Sequence, residues 1–327
     1  TTGLPGGRPC CEGYWQGLPC GAAPSTVEGM DNQSETRDFL ATRRAKITPE
    51  QAGLPVYGGN RRVPGLRRGE VAMLAGVSVE YYTRLERGNL SGVSEGVLEA
   101  LAQALQLDEA ERAHLFDLAR AASTTRKPQR RRAAVQPVRA SVQLMLDAIT
   151  NAPAFVRNGR LDVLAANQLG RAMYSEMYAG PVRPANFARF LFLDDRSRGF
   201  YPDWERAAND TVAILRTEAG RDPYDRGLTD LVGELSTRSE EFRTRWAAHN
   251  VRLHYTGRKH FRHPVVGDLH LMYESLDLSA DAGLSLLVYT AEPGSATGDA
   301  LRLLASWAAT NRQVKEAEAA ATTVDKA

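Results

Sequence analysis

The side chains with the most telling spacing lie between Leu66 and Gly88, in LRRGEVAMLAGVSVEYYTRLERG. A helix that stops, turns sharply and restarts needs a residue at ease in left-handed backbone, then a polar cap. Gly76 and Ser78 occupy those places, and Val77 between them can pack under the turn. In a helix that begins after Ser78, Tyr82 and Leu85 fall three apart and can face a core. Val79, Glu80, Tyr81 and Arg84 then point outward, and outward residues near the start of such a helix reach base edges in the DNA major groove. Glu80 carries acceptors that select cytosine or merely suit the helix N-terminus, and Tyr81 suits a base or the sugar-phosphate equally. Arg43, Arg44, Lys46, Arg61, Arg62, Arg67 and Arg68 stand against a single acid, Glu50, between positions 43 and 69. Such a set can contact phosphates, a source of affinity without sequence choice. The candidate DNA contacts are therefore Arg67, Arg68, Ser78, Val79, Glu80, Tyr81 and Arg84. A helical bundle that mediates protein contacts, with Gly76 and Ser78 as ordinary caps, is the competing reading.

Other residue groups point less sharply. His249, His254, His260, His263 and His270 are five of the six histidines and fall within 22 positions. A metal site needs several imidazoles or carboxylates that converge. No His-x3-His pair occurs, and strand alternation would scatter these rings over both faces, so no metal is expected. His263-Pro264 suits a turn ahead of a strand at Leu269. Asp194-Asp195, and Asp222 with Asp225, offer paired carboxylates but suit loops and helix starts. With no Gly-x-Ser-x-Gly, no P-loop and no Gly-x-Gly-x-x-Gly, the chain is read as a non-enzyme without a cofactor. Large apolar residues spread through the second half, and Phe192, Trp204, Leu215, Trp246 and Met272 are the candidates to line a small-molecule pocket. The alternative is that they simply fill a core.

The elements that must carry these residues follow from periodicity. Helices are expected at Phe39–Lys46, Leu66–Leu74, Ser78–Arg87, Ser94–Leu105 and Asp108–Ala121, with a Pro/Gly-broken loop at Thr48–Gly65. Ser123–Arg139 holds Arg126, Lys127, Arg130, Arg131, Arg132 and Arg139, with two prolines and no acid, and reads as a linker. Beyond it a strand over Leu161–Ala165 precedes helices at Asn167–Met177, Asn186–Leu193, Asp203–Glu218, Asp225–Leu235 and Ser239–Ala248. Strands at Val251–Thr256, Leu269–Leu276 and Leu284–Thr290 and a helix around Leu301–Trp307 complete an α+β domain with an antiparallel sheet. Net charge is only +2 and no apolar stretch reaches membrane-spanning length, so neither names a partner or a membrane. The three cysteines, Cys10, Cys11 and Cys20, lie in the first 20 residues, and a cysteine-free remainder fits a reducing cytoplasm. Residues 1–29 show no secretory pattern and read as an upstream extension or start-site artefact ahead of Met30.

At Ala75-Gly76-Val77-Ser78, Leu85 and Glu86-Arg87-Gly88 the chain resembles the Xre/Cro-type helix-turn-helix family, over roughly Thr36 to Ala121. Asn158-Gly159-Arg160-Leu161 leading to Ala166-Asn167 resembles the opening of a PAS-type sensor. Phe190-Leu191-Phe192-Leu193, Asp203-Trp204-Glu205, Ala213-Ile214-Leu215-Arg216, Ser239-Glu240-Glu241-Phe242, Trp246 and His263-Pro264 follow in order. Together they resemble the ligand-binding domain of MmyB-like regulators, over about Ala140 to Trp307. The resemblances imply an all-α helix-turn-helix domain plus an α+β PAS-like domain with an apolar cavity for a lipophilic, fatty-acid-like effector. The expected division is a disordered extension at 1–34, the DNA-binding domain at 35–122, the basic linker at 123–139, the ligand-binding domain at 140–312 and a flexible tail at 313–327. The partners implied are a double-stranded DNA operator and an effector. A homodimer follows because one helix reads too few base pairs to be selective. Control by a partner protein in place of a small molecule is the alternative.

Overall fold

The computed structural model describes residues 32–55, 63–123, 137–251 and 255–324. The extension before Asn32, Arg61, Arg62, His254 and the linker arginines Arg126, Arg130, Arg131 and Arg132 with Lys127 lie outside the described residues.

Five helices come first: α1 (Asn32–Lys46), α2 (Arg68–Leu74), α3 (Val79–Glu86), α4 (Glu95–Ala104) and α5 (Glu109–Ser123). An eight-residue helix such as α3 is unstable alone in water, so packing must hold it. Tyr82 and Leu85 of α3 are fully buried with Phe39, Leu40, Val71, Leu98 and Leu115 in one core. Each such side chain contributes about 1.5–3 kcal/mol by leaving water, which outweighs the weak propensity of α3. Between α2 and α3, Gly76 takes φ +66°. Its N–H donates to the Met73 carbonyl at 3.2 Å, and the Val77 N–H to the Ala72 carbonyl at 2.9 Å. That paired closure of a helix end needs a left-handed residue, which glycine supplies without strain.

The second unit runs α6 (Ala140–Ala148), β1 (Ala154–Asn158), β2 (Asp162–Ala166), α7 (Gln168–Met173), α8 (Ser175–Ala179), β3 (Ala185–Asn186), α9 (Phe187–Leu193) and α10 (Arg196–Phe200). It continues with α11 (Trp204–Arg221), α12 (Arg226–Arg238), α13 (Glu240–Trp246), β4 (Thr256–His263), β5 (Gly267–Asp277), β6 (Leu284–Thr290) and α14 (Ala296–Val324). The strands form one sheet in the order β3-β2-β1-β6-β5-β4, every neighbouring pair antiparallel. Side-chain alternation gives the sheet two apolar faces. Phe155, Phe261, Leu271, Tyr273, Leu287 and Tyr289 face the helical layer, while Ala154, Val156 and Leu286 are covered by Val142 and Leu146 of α6. The α+β class with an antiparallel sheet is as expected.

Three element readings need correction. β1 was not anticipated, because its five residues carry Arg157 and Asn158 after only three apolar positions. β4 begins at Thr256, where a strand over Val251–Thr256 was expected; residues 252–254 lie outside the described residues. α14 runs on to Val324, into the stretch 313–327 expected to be a flexible tail, in keeping with the helix propensity of its Ala, Glu and Lys residues.

The helical layer buries a dense set of rings. Tyr174 meets Phe155, Phe187, Phe200 and Phe261 at centroid distances of 5.5, 4.9, 5.0 and 6.0 Å. Its hydroxyl lies 3.1 Å from that of Tyr201, so each buried phenol finds a partner. Burial pushes both hydroxyls well above the ordinary phenol range, which keeps them neutral.

α11 joins the two units. Arg216, fully buried, donates to both carboxylate oxygens of Glu35 on α1 and to the Trp246 carbonyl, and lies 3.9 Å from the centroid of the Trp246 ring. Burial alone would raise the Glu35 pKa; the nearby His114 and His249 imidazoles, 3.6 and 3.5 Å away, and the Arg216 charge instead hold it well below the usual carboxylate range. One turn on, Gly220 lies under His114 of α5, where an added Cβ would stand 2.5 Å from the imidazole. The segment after α13 completes the seam. The His249 carbonyl accepts from Arg43, Lys46 donates to Asn250 at 2.7 Å, and Val251 packs into the core of the first unit.

Candidate functional site

Ser78 caps α3 by accepting the Tyr81 N–H at 3.1 Å. Tyr82, Leu85 and Glu86 are the buried face of the helix. Val79, Glu80 and Arg84 are exposed on the other side, and Tyr81 is half-buried. The Arg84 guanidinium stacks over the Tyr81 ring, 4.8 Å from its centroid, which restricts both side chains and presents them as one unit. Arg67 and Arg68 are exposed at the start of α2. The structure thus places all seven candidate DNA-contacting residues on α3 or at the start of α2, and none of them is fully buried.

Part of the expected basic set is turned inward. Glu86, 2% exposed, accepts from Arg44 at 2.6 Å and from Arg68 on its second oxygen. Arg44 also donates to the Leu66 carbonyl at 2.9 Å. Arg43 is buried and pairs with Glu111 at 3.1 Å, while Lys46 is taken by Asn250. Arg43 and Arg44 therefore bind the helices to one another and do not flank a groove. Glu86, which the sequence reading treats only as part of the exit from the helix, is the residue that ties α1, α2 and α3 together. Gly88 closes the exit at φ +94°, with its Cα so close to Gln33 that a Cβ would sit 2.3 Å from the Gln33 carbonyl oxygen. The Glu-Arg-Gly sequence is thus a packing device behind the exposed face.

In the second unit the structure brings three of the five candidate pocket residues into one aromatic run. Phe192 lies 5.8 Å from Trp204 and 5.1 Å from Phe242, and Phe242 stacks at 5.5 Å on Trp246. Leu215 is fully buried in the same core. Met272 stands apart: it alternates with buried Leu271 and Tyr273 on β5, so its side chain leaves by the opposite face and is 40% exposed.

Two clefts flank α11. One, of about 340 Å³, opens beside the C-terminal end of the helix between Ile214, Glu218 and Arg221, the strand residues Arg157 and Ser275, and Leu161 of the β1–β2 turn. The other, of about 380 Å³, lies at the N-terminal end, lined by Asp203, Arg206, Asp210, Lys259, His270 and Met272. Burial, together with the Arg157 charge, pushes the Lys259 ammonium down to about 8, against the opposing pull of Asp210. Arg157 is not among the candidates the sequence offers; its signal is a cation that follows Ala154, Phe155 and Val156 in an apolar run.

The histidines go separate ways. His260 and His270 stack at 4.1 Å on adjacent strands, and His260 contacts Asp268 at 3.1 Å. His263 is buried between the Ala172 carbonyl and the Val265 N–H, and burial lowers its pKa. His249 belongs to the Glu35 cluster. Among the described residues no three His, Cys, Asp or Glu side chains gather where they could hold a metal ion.

Comparison with known proteins agrees with this division. Residues 38–115 match the helix-turn-helix domain family, and residues 138–304, just over half of the chain, match the MmyB-like transcription regulator ligand binding domain. No curated protein matches the chain. Both modules are those of a regulator and not of an enzyme family, and among the described residues no helix is long and apolar enough to cross a membrane. With α3 presented on a helix-turn-helix and a ligand-binding domain packed behind it through α11, the protein belongs to the MmyB-like family of transcription regulators.

Proposed function

We propose that α3 reads a double-stranded DNA operator from the major groove, in the cytoplasm where the chromosome is within reach. Ser78, Val79, Glu80, Tyr81 and Arg84 form the reading edge, and Arg67 and Arg68 meet flanking phosphates. The protein acts as a homodimer on paired half-sites, and its C-terminal domain binds a lipophilic, fatty-acid-like effector that shifts the population of DNA-competent arrangements. The observation that carries the reading is the two-sidedness of α3: Tyr82, Leu85 and Glu86 are fixed inside while Val79, Glu80 and Arg84 have nothing over them. The cleft of about 340 Å³ beside α11 supports the lipophilic effector, because it has apolar walls at Leu161, Ile214 and Leu278.

The test is fluorescence anisotropy of residues 30–327 against fragments from the gene's own upstream region, in a salt series, with and without a fatty-acid panel. Saturable, sequence-selective binding that one lipid shifts is the expected result. Binding abolished by salt and indifferent to sequence and lipid would overturn it, and a stable protein complex under those conditions would favour a partner-controlled regulator.

A narrower prediction concerns Arg84. Replacement by Ala removes the guanidinium stacked on Tyr81 and should weaken cognate DNA by about 1–3 kcal/mol while it leaves random DNA less affected. Equal losses on both DNAs would make Arg84 a phosphate contact.

A further inference from the structure

Lys259 is an amine that the fold itself does not use. It stands on the inner face of β4, paired in register with Leu271 and two residues before the fully buried Phe261. Its ammonium lies 5.2 Å from the centre of the Tyr273 ring, and among the described residues it makes no hydrogen bond or ion pair. A second cation, the buried Arg157 of β1, is similarly placed. Its Nη2 donates to Ser275 Oγ at 3.3 Å, its Nε has no partner, and no described carboxylate pairs with it. The charge of Arg157 acts on Lys259 more strongly than that of Asp210, and Arg206 adds to it. Desolvated cations that act on one another with too little negative charge between them are expensive until an anion arrives.

Burial and the Arg157 charge bring the Lys259 ammonium down to about 8. At neutral pH its uncharged, nucleophilic amine is therefore on the order of a hundredfold more abundant than that of an ordinary lysine. The cleft of about 380 Å³ that Lys259 lines gives small molecules access to it. We propose that Lys259 is a carbamylation site, at which the free amine takes up carbon dioxide and becomes a carbamate that answers the charges of Arg157 and Arg206. The Nζ lone pair forms a bond to the carbon of carbon dioxide, one carbon–oxygen π bond opens onto oxygen, and the surplus proton on nitrogen leaves to water. The protonated side chain thus passes from one positive to one negative charge with no further reagent.

Charge selects this reaction over others open to an amine. An imine formed with an aldehyde is again cationic once protonated, and an amide from an acyl donor is neutral, so neither answers Arg157. Buried Asp210 of α11 is the acid that opposes the carbamate from within the cleft. Asp203 is engaged as the cap of α11, where it accepts the Arg206 N–H at 3.3 Å, and Glu292 is exposed. Arg258 and His260, on either side of Lys259, leave by the opposite face of β4, and His270 of β5 stacks there on His260. Lys259 lines the cleft at the N-terminal end of α11 and not the one with apolar walls, so the inference does not depend on a lipophilic effector.

The test equilibrates the full chain with isotope-labelled bicarbonate near pH 8, traps carbamates by alkylation of their oxygens, and locates the label by peptide mass spectrometry. Lys259 is expected to carry at least tenfold more label than the exposed Lys46 of the same molecules. At fixed carbon dioxide pressure the label should fall as pH drops below about 8, because the ammonium has no lone pair to offer. Arg157→Gln should cut the Lys259 label at least fivefold. Arg206→Gln, at an exposed position, should reduce it as well, which keeps the comparison decisive if Arg157→Gln fails to fold. Label on Lys259 no greater than on Lys46 overturns the proposal. So does label that neither arginine replacement reduces, because the carbamate would then owe nothing to the cations around it.

Discussion

Glu35→Ala is expected to destabilise the full chain by about 3–5 kcal/mol, because it strands a fully buried Arg216 without its counter-charge. Removal of one partner of a buried pair leaves the desolvation cost of the other in place, whereas exchange of both for apolar residues can be nearly neutral. The double variant Glu35→Leu with Arg216→Met should therefore recover much of the loss, and thermal denaturation of both variants checks the point. A double variant no more stable than the single one would show that the charges themselves, and not the unpaired cation, set the effect. The pH dependence has a definite sign. The Glu35 pKa in the folded chain is depressed below that of an unfolded glutamate, so its contribution is fully present above about pH 4.3. It is lost as pH falls through the depressed folded value. A midpoint temperature for Glu35→Ala that converges on the native one only in acid would confirm it.

The second large effect is expected at Glu86. Its carboxylate holds Arg44 at 2.6 Å and Arg68 on the other oxygen, and it accepts from the Tyr82 hydroxyl at 3.4 Å. Glu86→Ala leaves two arginines converging on an empty buried position and should cost about 3 kcal/mol. Since α3 is too short to stay helical without its tertiary contacts, operator binding should fall with stability. The sharper measurement is made well below the melting point of the variant. Cognate affinity should still be reduced, because the α2–α3 angle is no longer fixed by a carboxylate shared with α1. Full cognate affinity in a folded Glu86→Ala chain would show that the turn at Gly76 alone sets the geometry.

What could be read from the sequence was local. Gly76 and Ser78 dictate a turn and a cap through their own backbone and side-chain chemistry, so the exposed edge of α3 was legible without any tertiary contact. Glu86 was not: its partners Arg44 and Arg68 lie 42 and 18 positions away, and nothing near Glu86 names them. For the same reason Arg43, Arg44 and Lys46 looked like a phosphate-facing set, though Arg43 and Arg44 are engaged inside the molecule and the exposed Lys46 is held by Asn250. Most helices of the second unit and its strands at Leu269 and Leu284 were legible from periodicity, whereas α6, α10 and β4 were not. Met272 was assigned to the same lining as residues inside the core, but its neighbours Leu271 and Tyr273 take the inner face of the strand. The pairing of Arg216 with Glu35 spans 181 positions and belongs to topology, which composition and spacing do not encode.

Val251 has a consequence for how this chain can be divided. It lies within the ligand-binding domain in sequence, between α13 and β4, yet its side chain is 7% exposed among the residues that hold α1 to α5 together. A fragment that stops after Ser123 would lack that filling residue and would bare the faces of Phe39 and His114 turned toward α11. The DNA-binding module is thus built from two stretches of chain, one of which comes from the middle of the sensor. A protease cut in the segment between the modules would leave them associated, and heat should melt them as one cooperative unit rather than in sequence.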